Sequence, residues 1–96
     1  MGYAQDERKM ILNQIKNTFA EIQLKINKDP KTAFGVEEDK LISQICLEYG
    51  NSRRTAKEYI SDLINANFIE RNQYGLWPGR LIKEGYQKKL DANWKR

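Results

Sequence analysis

Between residues 5 and 28 the apolar positions Leu12, Ile15, Phe19, Ile22 and Ile26 stand three, four, three and four apart, with Met10, Ile11 and Leu24 beside them. This spacing predicts a helix of about six turns. Asp29-Pro30 ends it, because the residue before proline is pushed out of the α region. The same spacing is a short heptad seam, so the stripe faces either a second copy of the helix or this chain's own core. A second helix is predicted in VEEDKLISQICLEYG, with Leu41, Ile42, Ile45, Cys46 and Tyr49 on one face. Glu37, Glu38 and Asp39 fall in its first turn, where the helix dipole favours negative charge, and Gly50 is placed to end it in the left-handed conformation. Cys46 belongs to the apolar face and reads as a small buried hydrophobe.

Asn51 and Ser52 supply a turn and an N-cap for a third helix, SRRTAKEYISDLINA, on which Ala56, Tyr59, Ile60, Leu63 and Ile64 share one side. At about 100° per residue the other side carries Arg54, Glu58, Ser61 and Asn65, flanked by Lys57, and folding does not require it. The corner between the second and third helices is about three residues long, as in a helix-turn-helix. From Asn67 the period changes to two: FIER and LWP are short β-type runs with NQYG between them, and Gly75 is able to take positive φ. Trp77 reads as core. RLIKEGYQKKLDANWKR then reads as a closing helix over 80–95, with Leu81 or Ile82, Tyr86, Leu90 and Trp94 about four apart. Gly85 inside it weakens the helix by about 1 kcal/mol relative to Ala.

The chain of 96 residues is sized for a single domain spanning 1–96, mainly α with a small β-hairpin. Its 17 basic and 13 acidic residues leave a net charge of +4, with a pI near 9.2. The charge is unevenly spread: residues 51–96 hold ten basic and five acidic groups, whereas residues 31–50 hold two and four. Such polarity suits a protein with one face toward a polyanion, and it equally suits a well-solvated surface. No apolar run is long enough to span a membrane, and the first ten residues lack the layout of a secretory signal, so a cytoplasmic protein with no membrane partner is expected. With one cysteine and no histidine, the usual zinc sets and the commonest catalytic base are missing. No paired carboxylates, activated nucleophile or phosphate-binding glycine loop stands at a usable spacing, so neither an enzyme, a metal nor a cofactor is expected.

Residues 36–78, from the helix ending in EYG through the corner NS and the run RRTAKEYISDLINANFIER to the glycine of the hairpin, resemble a winged helix-turn-helix domain of the small archaeal kind. The flanking helices at 5–28 and 80–95 are similar to those of dimeric regulators in the broad multiple-antibiotic-resistance class. The resemblance implies that the third helix lies in the DNA major groove with its N-terminal residues nearest the bases, while the hairpin, or wing, touches the neighbouring backbone or minor groove. Carried onto this sequence, the DNA-binding residues are Ser52, Arg53, Arg54, Thr55, Lys57, Glu58 and Ser61 on the helix, Arg71, Asn72, Gln73 and Tyr74 at the wing, and Arg80 behind it. An Arg can make a bidentate contact with guanine, and Ser or Thr can bond a phosphate or a base edge. Arg53 and Arg54 have ion pairs with Glu38 or Glu58 as their competing role, and Tyr74 has packing. Glu37, Glu38 and Asp39 depart from the pattern, because many winged helices bring this point close to a phosphate.

Two functions follow. One is a sequence-specific binder of double-stranded DNA, a transcriptional regulator acting by operator occupancy, as a homodimer joined through Leu12, Ile15, Phe19, Ile22 and Ile26 with Tyr86 and Leu90. The other is a winged-helix interaction module that holds another protein, as in replication or chromatin machinery. No small-molecule effector can be named from the residues.

Overall fold

A computed structural model describes residues 2–85. Its elements run in the order α1 (Gly2–Lys28), a 3-10 turn (Pro30–Thr32), α2 (Glu38–Tyr49), α3 (Arg53–Asn65), β1 (Ile69–Asn72), β2 (Gly75–Pro78) and α4 (Arg80–Lys83). The described residues are mainly helical, with one two-stranded antiparallel hairpin. No helix among the described residues is long and apolar enough to cross a membrane.

Each helix end has a local cause. Asp29 closes α1 and caps the following turn, its Oδ1 accepting the Lys31 N–H at 3.1 Å, while Pro30 opens that turn at a position that needs no N–H. Gly50 ends α2 at φ 71° and donates its N–H to the Cys46 carbonyl at 2.9 Å. Ser52 caps α3, accepting the Thr55 N–H at 3.2 Å, so only Gly50, Asn51 and Ser52 separate the two helices. At the far end of α3, Asn67 takes φ 69°. The Asn67 N–H donates to the Ile64 carbonyl at 3.0 Å and the Phe68 N–H to the Leu63 carbonyl at 2.9 Å. This paired closure turns the chain from helix into strand, and Phe68 and Leu63 are buried in the same core.

Within the hairpin Ile69 faces Pro78, Arg71 faces Leu76 and Asn72 faces Gly75, leaving Gln73 and Tyr74 as the two-residue tip. Neither tip residue has positive φ; Gly75 takes it instead, at 119°. A side chain there would also collide with the Val36 carbonyl, 2.6 Å from where its Cβ would lie. Val36 is the unforeseen part of the sheet. Expected at the start of the second helix, it lies in an isolated bridge with Leu76, donating its N–H at 2.8 Å and accepting at 2.9 Å. The segment between α1 and α2 is thereby tied to β2.

The core joins every helix and the hairpin: Ile11, Ile15 and Phe19 of α1, Leu41, Ile42 and Ile45 of α2, Ala56, Tyr59, Ile60 and Leu63 of α3, then Phe68, Ile69, Leu76 and Ile82. This corrects the expected dimer interface at two positions. Ile15 and Phe19, at 4% and 0% exposure, are occupied by the chain's own core, and Leu12 and Ile22 pack partly against it. Ile26 is half-buried, and Tyr86 and Leu90 lie outside the described residues. The stripe turns inward because α3 presents an apolar side that α2 alone does not cover.

The closing helix is also corrected where it is described. After one turn Gly85 adopts φ 79° and donates its N–H to the Ile82 carbonyl at 3.0 Å, interrupting the helical hydrogen-bond ladder. Glycine here is a stop rather than a weak interior residue. Residues 86–95 of the expected helix, including Trp94, lie outside the described residues.

Because Phe19 is wholly enclosed, Phe19→Ala should cost about 3–5 kcal/mol by urea unfolding, and Phe19→Asp should unfold the chain rather than dissociate it. Leu24→Ala, on the exposed side of the same helix, should change stability by less than about 0.5 kcal/mol.

Candidate nucleic-acid interface

The face of α3 turned away from the core carries Arg54, Lys57, Glu58, Ser61 and Asn65, all exposed. They occupy less than half of the helix circumference, whereas Ala56, Tyr59, Ile60 and Leu63 fill the opposite side and are buried. Arg54 is 91% exposed and among the described residues meets only Glu58, one turn on, with Nε and Oε1 3.7 Å apart. Such a pair in water holds little energy, so the guanidinium remains available to a ligand. Lys57 forms no ion pair among the described residues. Together these groups offer donors, a carboxylate acceptor, a hydroxyl and an amide on one surface that folding does not use.

The N-terminus of α3 is more committed than its composition suggests. Ser52 accepts from the Thr55 backbone and also donates its hydroxyl to Thr55 Oγ1 at 3.1 Å, so both residues serve the cap. Arg53 is drawn back toward α2, its Nη1 donating to Ser43 Oγ at 3.3 Å and its Nη2 lying 3.6 Å from Asp39. Of the two partners weighed for these arginines, Glu58 meets Arg54 and Glu38 meets neither.

Glu38 is taken by Arg71. The Arg71 Nε–H donates to Oε1 at 2.8 Å and the Nη2–H to Oε2 at 2.9 Å, a fork-on-fork pair between β1 and the first turn of α2. The period of the strand accounts for it: Arg71 shares a face with Ile69, which is buried, so its side chain is directed over the helices and not away from them. Alternation made that direction readable; the partner, 33 positions earlier, carried no local signal. The pairing of Glu38 with Arg71 and the contribution of Ser43 are thus what reading the residues missed.

Asn72 supports the hairpin tip, its Oδ1 accepting from the Tyr74 N–H at 2.8 Å and the Trp77 Nε1–H at 3.1 Å. Trp77 is accordingly half-buried and anchored by the tip rather than sunk in the core. Gln73 and Tyr74 are exposed, Tyr74 with most of its ring in water, so it does not pack. A shallow cleft between this tip and α2 is lined by Glu37, Glu38 and Asp39 together with Gln73, Tyr74 and Gly75. Three carboxylates there disfavour a phosphate. Arg80 is exposed at the start of α4 with Glu84 3.9 Å away. The back of α3 is fastened by α1, where Arg8 pairs with Asp62 and lies over the Tyr59 ring at 5.1 Å.

Arg54, Lys57, Glu58 and Ser61 therefore form one continuous surface, while Arg71 and Asn72 are engaged elsewhere and Arg80 stands apart from that surface at the start of α4, its contact with Glu84 as loose as that of Arg54 with Glu58. No group of three or more carboxylate or thiol side chains able to hold a metal occurs among the described residues. Comparison with protein-family models, curated proteins and solved structures finds no match.

Ser52→Ala should lower stability by about 1 kcal/mol through loss of the cap. Arg54→Ala should leave stability within about 0.5 kcal/mol of the parent. Denaturant midpoints of the two variants check the division between residues that build α3 and residues that it presents.

Proposed function

We propose that the chain is a winged helix-turn-helix protein that binds double-stranded DNA sequence-specifically through the outward face of α3 and regulates transcription by occupying its site. The observation that carries this reading is the exposed set Arg54, Lys57, Glu58, Ser61 and Asn65 on a helix whose other side is sealed in the core. Element order supports it as well. A helix, a single bridging residue, two helices across a three-residue corner, and a hairpin whose second strand pairs with that residue come in the order this reading calls for.

Docked by α3, the protein brings Arg54 to the floor of the major groove, where a guanidinium can donate to both O6 and N7 of guanine. Glu58, one turn along, can accept from a cytosine amino group, and Lys57 on the flank meets phosphate. The reaction is occupancy alone.

A second reading, a module that holds another protein, is favoured by a specific feature. Arg53, Arg71 and Arg80 all have carboxylate partners, and Phe34, Leu47 and Tyr74 are exposed. Titrating random and selected duplexes separates the two readings. On a selected site Arg54→Ala should cost about 1–3 kcal/mol and on random duplex much less. The slope of log K against log salt should be about −3 to −5 for each bound chain. No affinity for duplex at low salt, or a slope near zero, would leave the protein-holding module as the better account.

A further inference from the structure

We propose that Glu38 is a positioning residue that holds Arg71 away from phosphate and so limits how tightly the protein grips DNA of any sequence; this rests on the DNA-binding reading above. A wing arginine is ordinarily read as a backbone contact. Here its guanidinium already has the planar, two-oxygen partner that a phosphate would offer.

The neighbouring ion pairs show why Arg71 is the exception. Lys40 with Glu37, Arg53 with Asp39 and Arg54 with Glu58 are single contacts at 3.4, 3.6 and 3.7 Å between well-exposed side chains. A phosphate displaces such contacts at little cost. The Arg71 pair uses two nitrogens and both carboxylate oxygens at 2.8 and 2.9 Å, and its carboxylate side chain is only 31% exposed. Glu38 is itself favoured in the first turn of α2 by the helix dipole. Releasing Arg71 would moreover leave three neighbouring carboxylates, Glu37, Glu38 and Asp39, facing any phosphate that approached the cleft. Two costs therefore act together, the broken fork and the exposed like charge. With the wing cation restrained, a larger share of binding falls to the base-facing groups of α3.

The test compares the parent, E38Q, R71A and the double variant on random-sequence duplex across a salt series, after all four are shown to melt alike. E38Q frees Arg71 and should bind more tightly at 50 mM salt with a slope steeper by about one unit. It should therefore lose about three- to fourfold more affinity than the parent between 50 and 200 mM. In the R71A background the same change should produce no steepening. A parental slope for E38Q overturns the proposal. So does an equal gain with Arg71 absent, which would reflect only the removal of a negative charge. If E38Q fails to melt like the parent, the Arg71 Nε–H resonance of the unaltered protein decides: it should stay in place as random duplex is added, and movement together with that of Arg54 overturns the proposal. A parent that binds no duplex overturns the DNA-binding reading itself, an outcome distinct from binding with unaltered slopes.

Discussion

Ala56, Tyr59, Ile60 and Leu63 can leave water only if α1, α2 and the hairpin close on them together, and this shared burial sets the position of everything else. None of these elements has enough apolar surface to be stable alone. α2 reaches the side of α3 because the corner between them is three residues long. The hairpin reaches its end because Asn67 reverses the chain within one residue of the helix. α1 closes the back, adding two cation contacts to its apolar stripe, Arg8 over Tyr59 and Lys16 over Phe68 at 4.1 Å. Each contact is small, yet they fix which side of α3 remains in water.

Electrostatics then divides the exposed surface. The carboxylates of the α2 N-terminus lie close to the basic residues of β1 and α3, so cations that look available along the chain are partly neutralised in space. What remains on the outward face of α3 is Arg54 with a loosely held partner and Lys57 without one among the described residues. A net charge of +4 thus overstates the attraction this side offers to a polyanion.

The helices were readable because their periodicity and their caps agreed. Ala56, Tyr59, Ile60 and Leu63 mark one side of α3, Ser52 precedes it and Gly50 follows α2, and all take their expected positions. The outward face of α3 was readable for the same reason, as the complement of its core. The role of Ile15 and Phe19 was not, since a three-four spacing serves a partner helix and an internal core equally well, and only the uncovered side of α3 decides between them. Val36 gave no pattern because a bridge of one residue has no alternation. Gly85 stood within a run of helical spacing, and its left-handed backbone depends on a termination that composition does not express. The Arg71 pair needed the meeting of two segments distant in the chain.

Residues that build α3 and residues that α3 displays do not overlap: the first set points into the core and the second touches no apolar neighbour that it must satisfy. Such separation makes the helix a replaceable address on a fixed scaffold. Changes at Arg54, Lys57, Glu58, Ser61 or Asn65 can alter the chemistry of this surface with little loss of folding. A library randomised at those five positions would vary that surface without first having to solve stability.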